Sequence, residues 1–261
     1  MRKRLIFTLL FEDGYFVLSR NFRTQRIGDI DWLQRNYDFS RVAFFIDELI
    51  ILNVSSTSQN QKAFCDVVKQ VSRGCFAPIS AGGGIRSVED ARELFNSGAD
   101  KVVLNKALYD NPLLIQEITA TWGRQATVGS LDARRVGDTF GFFSDRGKVQ
   151  QPISAVQSMV SDKTVGEIYL TSIERDGTGQ GLDLELVDFF QTLNLANIPT
   201  IIAGGAGKPD HLISALNHLG VGSVATANLL NFVGEGLKSA RTLISESGID
   251  LASWDVPSTL I

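Results

Sequence analysis

Short apolar runs, four to seven residues long, alternate with longer amphipathic stretches from one end of the chain to the other. Eight of the runs read as strands: RLIFTL (4–9), ELIILNV (48–54), PISA (78–81), KVVLN (101–105), ATVGSLD (126–132), EIYLTSI (167–173), TIIAGG (200–205) and SVATA (223–227). Most are near-continuous in apolar residues and do not alternate with polar ones, which is the pattern of strands buried on both faces of a parallel sheet. Between them lie stretches such as SVEDARELFNSG (87–98) and KPDHLISALNHLG (208–220), each with a helical period and a glycine stop. Eight strand–helix units in 261 residues predict an α/β fold closed into a (β/α)8 TIM barrel.

The chain also resembles itself. PISAGGGIRSVEDARELFNSGADKVVLNKAL, from Pro78, aligns with PTIIAGGAGKPDHLISALNHLGVGSVATANL, from Pro199, at an offset of about 121 residues. DELIILNVSS likewise aligns with GEIYLTSIER. The expectation is one barrel domain over 1–261 made of two half-barrels, about 1–122 and 123–261, with no linker or shift of composition between them.

Composition narrows the chemistry. A net charge of −4 and a pI near 5.3 give no general attraction to nucleic acid or to an anionic membrane, so an anionic ligand must be caught locally. Cys65 and Cys75 lack metal-binding spacing, the N-terminal apolar run is too short for a signal peptide, and no apolar run reaches the ~18 residues of a membrane span. A cytoplasmic protein with free thiols, no metal and no cofactor is expected.

Gly82-Gly83-Gly84 and Gly204-Gly205-Ala206-Gly207 each follow a strand and open a helix, at the same place in the two halves. Glycine lets backbone N–H groups approach an anion, and a helix N-terminus favours negative charge. Both loops fall at the C-terminal face of the barrel, where such folds bind phosphate. Two phosphate sites, at the ends of one long ligand, are the sharper reading; two tight turns are the plainer one.

At this point SLDARR, LTSIERDGTGQGLD, GGGIRSVEDARELFNSGADKVVLN and IIAGGAGK together resemble the cyclase subunit of imidazole glycerol phosphate synthase, HisF, over nearly the whole chain. The resemblance implies a two-half (β/α)8 barrel that binds a substrate with two phosphates. It also implies a glutaminase (HisH-like) partner in a heterodimer, whose ammonia passes through the barrel core. Carried across residue by residue, it makes Asp132 the general acid/base. Thr171 and Asp176 become site residues of the sixth strand, and Asn105 the asparagine that ends the fourth. Gly83, Gly84, Gly204 and Gly205 match the phosphate loops, and Ala227 and Asn228 the start of the last phosphate helix. Arg4, Glu48, Lys101 and Glu167 match a charged ring at the ammonia entrance, and Asp100 an acidic residue of the glutaminase interface.

The departures lie in the first half. The family's first catalytic aspartate falls at Leu10, a site lysine at Leu18, the aspartate ending the second strand at Asn53 and a serine of the final loop at Asn228. Leucine can neither give nor take a proton, and losing a positioned acid/base costs ~10²–10⁴ in rate. Glu12, two residues on, is a candidate substitute only if the strand keeps its alternation that far. Plainer readings stand beside the rest: Asp132 as a loop cap, the four ring residues as separately satisfied charges, and His211 and His218 as solvent-facing. Phe7, Phe11, Phe16 and Phe22 fit core and loop packing, with Phe11 and Phe16 as candidates for shaping an altered pocket.

Three functions compete. The first is a HisF-like, ammonia-dependent synthase subunit of a glutamine amidotransferase acting on an altered acceptor, such as a sugar amidine step in surface polysaccharide synthesis. The second is a genuine cyclase/lyase of histidine biosynthesis. The third is a non-catalytic ammonia conduit or binding subunit. Retained ring and loops with Leu10 and Leu18 favour the first.

Overall fold

The computed structural model describes residues 2–55, 60–161, 164–193, 198–228 and 235–254. Twelve strands occur among them: β1 (Arg4–Glu12), β2 (Tyr15–Arg20), β3 (Arg23–Gly28), β4 (Glu48–Asn53), β5 (Ile79–Gly82), β6 (Lys101–Leu104), β7 (Thr127–Val136), β8 (Thr139–Ser144), β9 (Val149–Gln151), β10 (Glu167–Ser172), β11 (Thr200–Ala203) and β12 (Ser223–Thr226). Ten α-helices are interspersed: α1 (Ile30–Asn36), α2 (Phe39–Val42), α3 (Gln61–Ser72), α4 (Val88–Asn96), α5 (Ala107–Asp110), α6 (Pro112–Trp122), α7 (Ile153–Ser161), α8 (Leu184–Thr192), α9 (Pro209–Leu216) and α10 (Gly236–Glu246).

The eight strands expected from the apolar runs pair in parallel around the cycle β1-β4-β5-β6-β7-β10-β11-β12 and back to β1. Helices lie between them, so the fold is a (β/α)8 barrel. Strand alternation then sorts side chains into two apolar layers. Ile6, Ile50, Val103, Val128, Tyr169, Ile201, Ala203 and Ala225 fill the bore. Leu5, Phe7, Leu9, Leu49, Ile51, Ile168 and Leu170 face outward into the larger core shared with the helices. β1 shows the logic in one strand: Arg4, Ile6, Thr8 and Leu10 share one side, and Leu5, Phe7, Leu9 and Phe11 the other.

Two strands outrun their expected ends. β1 continues to Glu12 and β7 to Val136, and each turns back as an antiparallel hairpin, β1–β2 through Asp13-Gly14 and β7–β8 through Gly137-Asp138. Asp13 (φ 49°) and Gly14 (φ 92°) both sit in the left-handed region that a two-residue hairpin turn demands. β3 and β9 extend these hairpins, and neither was expected. Asp-Gly followed by Tyr-Phe-Val-Leu is the sequence signal that announces the first.

Helix starts follow side-chain chemistry. Ser87 and Asp90 form a reciprocal cap at α4, and Asn111 with Pro112 opens α6. At the N-terminal end of the barrel, Arg241 of α10 forks onto Asp47 at 2.9 and 3.0 Å. The Asp47 carboxylate in turn accepts the Leu5 N–H at 2.7 Å, tying α10 to the first two barrel strands. No helix among the described residues is long and apolar enough to cross a membrane.

Candidate functional site

The C-terminal ends of the barrel strands open into one cavity of about 780 Å³. Asp132, Gly83, Gly84, Asn105, Thr171, Asp176, Gly204, Gly205, Ala227 and Asn228 all line it, although they come from six parts of the chain. The residues after Asn228, where the last phosphate helix was expected to begin, lie outside the described set.

Asp132 sits on β7 beside Thr171 of β10 in register. The Asn105 amide donates to Asp132 Oδ2 at 2.9 Å and to the Ser130 carbonyl at 3.0 Å, so both its hydrogens are engaged. Burial pushes the Asp132 carboxyl up to about 7; the Asn105 bond opposes that rise and the charge of Asp176 adds to it. No lysine or arginine pairs with it in the ion pairs of the described residues. Such a group is poised to give and to take a proton near neutrality.

Asp176 is differently used. Its Oδ2 accepts from the Ser19 hydroxyl and from the Phe22 N–H at 3.0 Å, while its backbone carbonyl accepts the Asn21 N–H. Burial raises its carboxyl, and the bonds to Ser19 and Phe22 hold the rise back. The carboxylate therefore clasps the turn between β2 and β3 over the cavity. Asn21 (φ 51°) and Phe22 (φ 62°) are both left-handed there, a strained pair that these bonds to Asp176 help to hold.

Leu10 faces the cavity from β1, flanked by Leu52 of β4, and Leu18 of β2 lines it too. The β1 alternation does reach Glu12, yet that carboxylate does not line the cavity. It accepts from the Thr24 hydroxyl at 2.6 Å and pairs with Arg146 of the β8–β9 turn. Burial would raise the Glu12 carboxyl, but the Thr24 and Arg146 interactions outweigh it and leave it below the usual range. Asn53 is also committed: its Oδ1 accepts from Ser55 Oγ at 2.7 Å and from Ser55 N at 3.2 Å.

The glycine loops hold left-handed backbone: φ 108° and 74° at Gly83 and Gly84, 90° and 102° at Gly204 and Gly205. A Cβ on Gly83 would fall 2.1 Å from the Asn53 carbonyl oxygen, and one on Gly205 the same distance from the Gly181 carbonyl oxygen. Close backbone approach alone therefore requires glycine at both positions, whatever else the loops do. Four cations also line the cavity: Arg86, Lys106, Arg146 and Lys148. Sequence reading passed over all four, and Arg146 and Lys148 arrive on a hairpin that it did not foresee. Lys106 pairs with Asp145 at 2.7 Å and Asp110 at 3.4 Å.

At the opposite end of the bore, Arg4, Glu48, Lys101 and Glu167 meet. Arg4 pairs with Glu48 at 2.9 Å and also with Glu167; Lys101 pairs with Glu48 at 2.9 Å and Glu167 at 3.1 Å. Each cation touches both anions, closing a ring of alternating sign in which Glu48 is only 2% exposed. Asp100, beside it, is exposed, and its carboxylate accepts the Ile79 N–H at 2.8 Å. Between ring and cavity, the Tyr169 and Thr8 hydroxyls bond to each other at 3.2 Å across the bore.

Three minor expectations need correcting. His211 is half-buried and its Nδ1 accepts the Gly207 N–H at 3.2 Å, so it braces the second glycine loop instead of facing solvent. His218 is half-buried as well, with Nε2 3.4 Å from Asp188. Phe11 and Phe16 pack edge-on in the outer core and do not shape the cavity; Phe22 does line it.

Comparison with known proteins places this geometry. A family model described as histidine biosynthesis protein matches residues 19–234. A protein of Parasynechococcus marenigrum carrying the provisional name imidazole glycerol phosphate synthase subunit hisF2 is 47% identical over 99% of this chain and 96% of its own length. The imidazole glycerol phosphate synthase subunits HisF of Hyphomonas neptunium and Pyrococcus furiosus are 34% and 32% identical, each over 95% of this chain and over 97% and 98% of their own lengths. A barrel with two glycine loops and an uncompensated aspartate at one end, and a ring of four charges at the other, thus belongs to the HisF family of imidazole glycerol phosphate synthase subunits.

Proposed function

We propose that this protein is the ammonia-dependent synthase subunit of a glutamine amidotransferase that acts on an altered phosphorylated acceptor, such as a sugar amidine step in surface polysaccharide synthesis. One observation carries the reading. Leu10 lines the cavity at the position that the resemblance gives to the family's other catalytic carboxylate, and the nearest alternative, Glu12, does not line the cavity and is bonded to Thr24 and Arg146. A single free acid can relay one proton at a time, but cannot act as one half of an acid–base pair.

In this reading Asp132 is the acid/base, Asn105 orients it, Thr171 contacts the substrate, and the two glycine loops with Ala227 and Asn228 bind phosphate. The barrel is taken as one domain of two halves, about 1–122 and 123–261, each opening with a long strand that runs on into a hairpin. Ammonia enters through the ring of Arg4, Glu48, Lys101 and Glu167 from a glutaminase docked near Asp100. Phe76, 80% exposed and 6.2 Å from the Phe44 ring in the loops leading into β5 and β4, supports a partner at that end, because a large apolar side chain left in water favours burial.

The retained Asp132 and Thr171, with likeness to HisF proteins over almost the full chain, favour a second reading: cyclase/lyase activity in histidine biosynthesis. Purified protein supplied with ammonia and the family's bis-phosphate decides between them. We expect turnover at least ~10²-fold below that of a cyclase with both carboxylates, raised by Leu10→Asp, and no rescue of a histidine auxotroph. Turnover at an ordinary enzyme's pace, or rescue, establishes the second reading instead.

A further inference from the structure

The cavity has two chemically different walls. Asn105, just past β6, with Ser130 and Asp132 of β7 and Thr171 of β10, makes one of them polar. Leu10, Leu18 and Leu52 make the other largely apolar, from β1, β2 and β4; Ser19 and Asn53 line the cavity from the same strands, and the Ser19 hydroxyl is given to Asp176. Leu10 and Leu52 are register partners on adjacent strands, so their side chains form one continuous surface. Leu52 continues it inward onto the apolar bore, and Leu18 outward onto the larger core. The carboxylate nearest this wall by sequence, Glu12, is held away from the cavity. Asn53, the polar side chain after Leu52, has its acceptor oxygen occupied by Ser55.

We infer that this wall is an apolar subsite, and that the ligand presents to it an uncharged face without hydroxyl groups, such as an alkyl, acyl or aromatic group. A hydroxyl laid against three leucines would give up its hydrogen bonds to water and find no acceptor there. An apolar group would instead remove both its own surface and that of the leucines from water, at a gain proportional to the area covered. The subsite therefore selects within phosphorylated compounds: equal charge, different face. The inference rests on the reading that the glycine loops bind phosphate, and the test separates the two.

Calorimetric titration of the whole protein with inorganic phosphate, phenyl phosphate and ribose 5-phosphate provides it. The two esters carry the same charged group, and differ in whether an apolar ring or a hydroxylated one follows it. Phenyl phosphate should bind roughly tenfold more tightly than ribose 5-phosphate, the ratio expected for covering one small apolar face. Leu18→Gln should reduce the ratio to about threefold or less. Leu18 is half-buried and at the mouth, so this variant retains the barrel; Leu10→Asn is the second variant, checked for folding by circular dichroism, and should act in the same direction. Equal affinities for the two esters, or a preference that neither variant changes, overturn the subsite while leaving phosphate binding intact. No binding of any of the three overturns phosphate binding, and the subsite with it.

Discussion

The two ends of this barrel treat charge in opposite ways. At the N-terminal end, four ionisable side chains enter the bore and each meets partners of opposite sign, so Glu48 and Glu167 are almost fully buried among compensating charges. At the C-terminal end, Asp132 is enclosed with one neutral amide for company and its carboxyl rises to about 7. The same kind of group is thus a structural element where it is paired and one poised for proton transfer where it is not. Burial sets the cost in both places; the partner decides whether that cost is cancelled or kept as reactivity.

The sharpest way to break this comparison is Asp132→Asn. If the unpaired carboxyl is the acid/base, ammonia-dependent turnover should fall by ~10²–10⁴. Stability should move the other way. The folded pKa lies above the ordinary carboxylate value, so ionised Asp132 opposes folding fully above about pH 7 and hardly at all below about pH 4. The variant should therefore gain up to roughly 4 kcal/mol over the parent at pH 8, and nothing at pH 4, in paired denaturant titrations. Equal stability at both pH values would mean that Asp132 carries no such penalty.

Glu48→Ala attacks the opposite end. Arg4 and Lys101 would be left sharing Glu167, and an uncompensated charge in a buried network costs roughly 3 kcal/mol or more. Urea unfolding should register that loss, with the C-terminal cavity unaffected in phosphate binding. A loss below about 1 kcal/mol would mean that the ring charges are solvated individually.

Leu10→Asp adds a second enclosed carboxyl facing the first, at an expected cost of roughly 2 kcal/mol. Because burial and the neighbouring Asp132 would both raise the new group's pKa, the cost should be largest at pH 8 and shrink as the pH falls toward 5, read as a difference in melting temperature. The smallest effect belongs to Glu12→Gln. It should change stability by about 1 kcal/mol or less and turnover by less than about threefold, since Thr24 and Arg146 already occupy its carboxylate. A collapse in turnover on this change would make Glu12 the missing second acid.

The barrel was legible because parallel strands buried on both faces leave apolar runs that little else produces, and the repeat fixed their number. The ring was legible through the family resemblance, and its two cations and two anions on four strands made one network the consistent reading. The hairpins were not, although Asp13-Gly14 announces one of them, because RTQRIG of β3 is polar and exposed and has no core face to give a period. With the hairpins went Arg146 and Lys148, and also the fate of Glu12, whose partners lie 12 and 134 residues away. The role of Asp176 as a clasp on Ser19 and Phe22 was hidden for the same reason: those contacts exist only once the hairpin folds back.

β1 has a consequence for how this protein can change. One face of nine residues serves the ion ring through Arg4, the bore through Ile6, the hydroxyl bridge through Thr8 and the cavity through Leu10. Losing or gaining a single residue within it would reverse the facing of every residue on one side of the change, turning members of this face outward and their Leu and Phe neighbours inward. Inheritance along this strand can therefore proceed by exchange of one side chain for another, and hardly at all by a change of length. A change of the side chain at position 10 alone is the kind of edit this strand permits: it rewrites one storey of the building and leaves the other three standing.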